Sequence, residues 1–222
     1  MKILVLSWLT FLVTMIFFSV FHIDFMVADW LYQAQGNAWL LKDNFIAQAV
    51  IHQGGKNLSV FLGLLTLIIL ITSFFWQRLS AWRWPLLYLF LATLLSTLTV
   101  SIIKQLISME CPWDLTRYGG PVGFISLLEA RPPYLPDSAC FPSGHASAGY
   151  AWISLYFFFL LTRPSLRWLG LGIAILLGLT FGITQQLRGA HFLSHDLWTI
   201  MICWTISFML SRALSLSINQ PL

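Results

Sequence analysis

Apolar residues fall along this chain in six long runs, at about 3–21, 58–76, 85–103, 146–161, 168–184 and 197–214. None holds Lys, Arg, Asp or Glu except Arg212, near the end of the last run, where its charged head can reach outwards. A helix crosses a bilayer with roughly 17–25 apolar residues. A β-barrel would show short alternating segments, and these are absent. Backbone polar groups in lipid must be satisfied within each segment. The pattern therefore predicts an all-α integral membrane bundle of six helices, forming one domain over residues 1–222. One connecting stretch, 37–51, mixes Trp39, Leu40, Leu41, Phe45, Ile46, Ala49 and Val50 with Lys42, Asp43, Asn44 and Gln48. It predicts an amphipathic helix, either lying in the membrane interface or packed on the bundle.

Composition supports the same class. The chain is 58% apolar and 9% charged, with mean hydropathy +0.79, whereas soluble domains carry about 25% charged residues. A water-soluble domain, a disordered chain and a disulfide-dense secreted scaffold are excluded. Twelve basic and eight acidic residues leave a net charge of +4, too little for nucleic-acid binding by charge alone.

Orientation follows from the short connections. Lys2, Arg78, Arg83, Arg163, Arg167 and Arg212 fall on one side if both termini are cytoplasmic. The opposite side receives 22–57, 104–145 and 185–196, which hold all eight acidic residues and all five histidines. Any chemistry is expected on that outer, periplasmic face, with the chain in a bacterial inner membrane. The first run follows Lys2 as a signal peptide would, but Ser19-Val20-Phe21-His22 is a poor cleavage site, so an uncleaved anchor is expected. Cys111 and Cys140 share the outer loop, where an oxidising compartment permits a disulfide; two unpaired thiols are the alternative. Cys203 lies in the sixth run.

Polar groups gather at the outer helix ends. Lys104 ends the third run, Pro142-Ser143-Gly144-His145 opens the fourth, and Arg188 to Asp196 open the sixth. Singly, each has a plain structural explanation: a snorkelling Lys, a helix start with Pro in its first turn, and hydrogen-bonded interfacial histidines. Together they make a different case. A helix start with free N–H groups at Ser143, Gly144 and His145 is an anion site, and Gly144 lets a ligand approach the backbone. Lys104 and Arg188 add positive charge. His145 and His191, on separate helices, supply a nucleophile and a general acid, a combination suited to phosphoryl transfer through a phosphohistidine.

These residues resemble the type 2 phosphatidic acid phosphatase superfamily, the lipid phosphate phosphatases. Its motifs are Lys, six residues, Arg-Pro; then Pro-Ser-Gly-His; then Arg, five residues, His, three residues, Asp. The second is matched in full at Pro142–His145, and the resemblance covers mainly 104–196. Two motifs depart. Lys104 is followed after six residues by Cys111-Pro112, which leaves Arg117, Arg131 or Arg188 to replace the first-motif Arg. Gln185 stands six before His191, and His195 four after it, with Asp196 next. His195 has the spacing of the orienting acid and Asp196 has its charge, about 100° round the helix. Either could support His191.

The resemblance implies that His191 attacks phosphorus, that His145 protonates the leaving oxygen, and that Lys104, Ser143, Gly144 and the arginines hold the phosphate. It implies no metal or other cofactor and no protein partner, only a lipid phosphate or diphosphate in the membrane. By resemblance the candidates are phosphatidic acid, phosphatidylglycerophosphate, isoprenyl diphosphate and the phosphates of lipid A. Transfer to an acceptor lipid, an inactive scaffold, a zinc hydrolase built on His191 and His195, and a transporter are the rival readings. Trp30, Trp39 and Trp113 are candidates to flank the substrate's route. His52-Gln53-Gly54-Gly55-Lys56 is a further polar group on the same face, able to touch substrate or cap a helix.

Overall fold

A computed structural model describes residues 1–126, 129–135 and 137–218, with side chains to 214 in the last helix. The apolar runs become α1 (Lys2–Val20), α3 (Gly54–Phe75), α4 (Arg83–Leu106), α7 (Arg167–Leu187) and α8 (Leu193–Ile218). The fourth run forms one helical path in two pieces, α5 (Gly144–Tyr150) and α6 (Ser154–Thr162), joined by a 3-10 turn at Ala151–Ile153. Among the described residues five helical stretches are long and apolar enough to cross a membrane. The broken α5–α6 path is not one of them, so the expected count of six is reached only if its two pieces cross together.

Two connecting elements differ from expectation. Residues 23–34 form a helix, α2 (Ile23–Ala34), which the hydrophobic pattern did not single out. The amphipathic helix expected over 37–51 is instead a series of turns followed by a π-helical segment, Ile46–Gln53, that runs directly into α3. The reason is tertiary: Trp39 packs against Tyr32 and Tyr118 at ring separations of 5.2 and 5.4 Å, and the Gln35 amide donates to the Leu187 carbonyl at 2.9 Å. The 37–45 backbone is thereby drawn over the end of the bundle where α7 finishes rather than along a helix axis.

Helices in lipid associate by close packing of small residues rather than by the hydrophobic effect. Here α7 carries Gly170, Ala174, Gly178 and Gly182, one per turn. A Cβ on Gly178 would stand 2.0 Å from the Tyr150 ring, and one on Gly149 would stand 2.3 Å from the Gly178 nitrogen. The α5 and α7 backbones therefore touch. On α8, His195, Thr199, Cys203, Ser207 and Ser211 make a similar buried stripe, and Tyr88 of α4 donates its hydroxyl to the Ser207 carbonyl at 3.0 Å. Tyr88, Tyr150, Trp152, Ile153, Phe157 and Phe208 fill the core around them. Helices α1 and α3 are peripheral, with outward apolar residues such as Val13, Ile16, Phe61 and Ile68 more than half exposed, as a lipid-facing surface requires.

The loop after α4 has no strand among its described residues, only isolated bridges at Met109–Ala139 and Leu115–Val122. Cys111 and Cys140 are joined by a disulfide, with Cα atoms 5.2 Å apart. The Cys140 N–H also donates to the Met109 carbonyl at 3.2 Å. The Trp113 N–H donates to the Gly189 carbonyl at 3.0 Å, tying this loop to the turn between α7 and α8.

Candidate active site

Pro-Ser-Gly-His lies at the start of α5 because Ser143 is extended and the helix begins at Gly144. Thr199 of α8 locks that start in place, its hydroxyl lying 3.1 Å from the Ser143 carbonyl and 2.9 Å from that of His195. Lys104 ends α4 directly above it: a Cβ on Gly144 would stand 3.4 Å from the ammonium nitrogen. A larger residue at 144 would displace the charge, so the glycine serves the lysine as well as any ligand.

His191 is buried in the short turn between α7 and α8. That turn needs Gly189, which has φ +74° and lies against the Trp39 ring. At the other end of the turn, Asp24 of α2 accepts the Ser194 N–H at 2.8 Å and caps α8. Burial there raises the Asp24 carboxyl above its ordinary range, while the Ser194 bonds oppose the shift.

His191 Nδ1 lies 2.6 Å from the Cys140 carbonyl oxygen. A carbonyl can only accept, so Nδ1 carries the hydrogen and Nε2 holds the free lone pair. Burial holds the His191 imidazole well below its ordinary pKa, and the charges of His195, Lys104 and His145 push the same way. The ring is therefore neutral and nucleophilic in form. His195 Nδ1 stands 3.5 Å from His191 Nδ1. Asp196 is buried behind it, with Gln186 donating to Oδ2 and a Cβ on Gly182 excluded by its carboxylate.

The carboxylate thus faces α7, and a backbone carbonyl occupies the orienting position on His191. Sequence reasoning offered His195 or Asp196 for that role. His195 lies beside that bond, 3.5 Å from His191 Nδ1, while Asp196 turns to Gln186, and no side-chain signal could have pointed to a main-chain oxygen. Gln185, at the position where the motif has Arg, accepts from Arg188 at 3.3 Å. The Arg188 Nε donates to the Lys42 carbonyl at 2.8 Å, and its guanidinium lies 6.0 Å from the centre of the Trp113 ring, which Lys42 approaches at 4.7 Å. Arg188 acts electrostatically on His145, as do Lys104 and Lys56.

Residues 85–218, more than half of the chain and the part that holds Lys104, Pro142 to His145, Arg188, His191 and Asp196, match the PAP2 superfamily. The chain belongs to the PAP2 superfamily. No curated protein matches it. Among solved structures it is similar to the crystal structure of the first transmembrane PAP2-type phosphatidylglycerolphosphate phosphatase from Bacillus subtilis. That match has a TM-score of 0.60 and 20% identity over 99% of both chains. At that identity the likeness speaks for the fold: this PAP2 chain is an integral membrane protein of all-helical architecture.

Within the PAP2 site, Lys104, Ser143, Gly144, His145, Arg188, His191, His195 and Asp196 come to one end of the bundle. Arg117 and Arg131 are each paired with a carboxylate. Arg117 makes a two-pronged bond to Asp29 at 2.7 and 2.6 Å and lies over the Phe25 ring, clamping α2 to the loop after α4. That pairing holds Asp29 below the ordinary carboxylate range. Arg131 pairs with the buried Glu110. Trp30 is 67% exposed on α2, Trp39 is part of the aromatic packing under Gly189, and Trp113 sits between Lys42 and Arg188.

For a zinc site the donors do not fit. Among the described residues the grouping with ligand spacing is Cys111, Asp114 and Cys140, whose sulfurs are bonded to each other. His191 and His195 gather no third ligand atom, and His191 Nδ1 is committed to a carbonyl.

Proposed function

We propose that this protein is a membrane lipid phosphatase that hydrolyses a lipid phosphate or diphosphate through a phosphohistidine, on the outer face of the membrane with both termini cytoplasmic. His191 Nε2 attacks phosphorus while the bond to the leaving oxygen breaks, and His145 gives that oxygen its proton. Lys104, Arg188 and the N–H groups at the start of α5 hold the non-bridging oxygens, and the Ser143 hydroxyl adds a donor. Water then attacks the phosphohistidine. His145 takes the water's proton, the P–N bond breaks, and inorganic phosphate leaves.

The observation that carries this reading is the bond from His191 Nδ1 to the Cys140 carbonyl, since it leaves the second nitrogen bare amid Lys104 and His145. A lipid fits because the site lies at the end of a lipid-exposed bundle, and the segments around it, α2 and 45–53, carry exposed apolar residues at Met26, Trp30, Phe45, Ile46 and Val50.

The test is phosphate release by the purified full chain over a panel of lipid phosphates and diphosphates, with and without an acceptor lipid. The wild type releases phosphate. His191→Ala does not, and no acid-labile phosphoprotein is trapped on it. Turnover by His191→Ala at the wild-type rate would remove the nucleophile from the mechanism. Phosphate appearing on an acceptor lipid instead of in solution would make the enzyme a transferase.

A further inference from the structure

His52 lies outside the stretch that matches the PAP2 family, yet its ring is in contact with the site. It is the penultimate residue of the π-helical segment Ile46–Gln53, and its imidazole stacks on that of His145, with ring centroids 3.5 Å apart and planes inclined by 34°. Single π-turns inside helices are rare and concentrate at functional sites. The segment is held in place one turn later. Gly55 is buried, and a Cβ there would stand 2.4 Å from the Phe181 ring of α7. The start of α3 therefore rests on the bundle, which fixes the backbone that carries His52.

The charges that act on both rings are Lys56 from α3, Lys104 from α4 and Arg188 from the end of α7, all positive. His191 acts with His145 from the turn before α8. Such surroundings suit a phosphate but oppose the imidazolium that His145 must become to act as an acid. The flat face of an aromatic ring has the opposite effect, since its quadrupole attracts a cation placed over it. It also fixes the plane of the ring it covers. A charge on His52 opposes one on His145, since two protonated rings at this separation repel each other, so the stack favours the His145 imidazolium with His52 neutral.

We propose that His52 is a positioning residue for His145, stacking on its ring to set its plane and to favour the imidazolium that protonates the leaving oxygen. This rests on the assignment of His145 as the general acid.

The experiment compares kcat/KM for two substrates that differ in their need for an acid: a lipid alkyl phosphate, whose leaving alkoxide requires a proton, and p-nitrophenyl phosphate, whose leaving group does not. General acid catalysis contributes about 10²–10⁴-fold. His52→Ala is expected to lower kcat/KM for the lipid phosphate at least about tenfold more than for the aryl phosphate, a fraction of that full contribution. His52→Phe, which keeps a flat face over His145, restores most of the loss. His52→Lys, which has no face and adds a cation, falls below His52→Ala. Equal losses on both substrates, or no loss on either, would overturn the role of His52, as would failure of the Phe variant where circular dichroism shows it folded. His145→Ala is the control for the underlying reading. If it does not discriminate between the two substrates, His145 is not the acid and the fault lies there rather than with His52.

Discussion

The contact between Gly149 and Gly178 offers a quantitative test of how this bundle holds its site. A methyl group on Gly149 would stand 2.3 Å from the Gly178 nitrogen, 2.5 Å from its Cα and 2.6 Å from the Leu177 carbonyl carbon. Every one of these is backbone, so no rotamer change relieves the clash. Ordinary van der Waals contact starts at 3.4 Å, and α5 must therefore back away from α7 by about 1 Å. Overpacking of this kind costs about 1–3 kcal/mol, and the helix propensity gained by Ala returns about 0.5–1 kcal/mol. The net loss is up to about 2.5 kcal/mol, about 1 kcal/mol at the middle of the two ranges, which lowers the melting temperature of a chain this size by about 2–4 °C. Activity falls further than stability. Gly149 lies one turn below His145 on the same helix face, and a misplacement of about 1 Å costs on the order of 10²-fold in rate. The comparison is Gly172→Ala, where nothing lies within 4 Å, and where the melting temperature and activity should hold or rise slightly. Both variants would be followed by thermal unfolding in detergent and by phosphate release. If Gly149→Ala melts and turns over like Gly172→Ala, the helix contact does not set the position of His145.

Three further outcomes follow from the site. Reducing the Cys111–Cys140 disulfide reopens a loop with a sequence separation of 29, removing about 3–4 kcal/mol of loop constraint in the chain-entropy account. The Cys140 carbonyl then loosens from His191, so phosphate release should slow under a membrane-permeant reductant, and equal rates in oxidised and reduced enzyme would show that the loop holds Cys140 without the bridge. The second concerns pH: protonation removes the lone pair of His191, and its depressed pKa keeps the ring neutral as the medium becomes acidic. The acidic limb of kcat/KM belonging to the nucleophile should therefore lie below about 6.5, the ordinary histidine value, and a limb at or above it would contradict the burial argument. Finally, Arg188→Ala should cost about 10²-fold or more in kcat/KM, while Arg117→Ala, which breaks only the clamp to Asp29, should lower the melting temperature and leave turnover close to the wild type. The reverse ranking in a phosphate-release assay would place Arg117 on the phosphate.

What the amino-acid sequence determined here was whatever depends on solvent and on neighbours along the chain. Long runs without charge have one stable state in lipid, so the helices α1, α3, α4, α7 and α8 were legible from hydrophobicity alone. Pro142-Ser143-Gly144-His145 was legible as a helix start because the capping chemistry is local. Residues 23–34 and 37–53 were not, because their conformations answer to Tyr118, Leu187 and the bundle end rather than to their own periodicity. The site divided in the same way. His145, His191, Lys104 and Arg188 could be named from residue type and spacing, since phosphoryl chemistry needs imidazoles and cations at helix ends. Only the tertiary structure decided that Arg117 answers to Asp29, that Asp196 turns toward Gln186, and that His52 lies on His145. It alone put a main-chain oxygen on His191. Every residue carries a carbonyl, so which one reaches a given imidazole is settled by how distant segments pack, and the pattern of side chains leaves no trace of it.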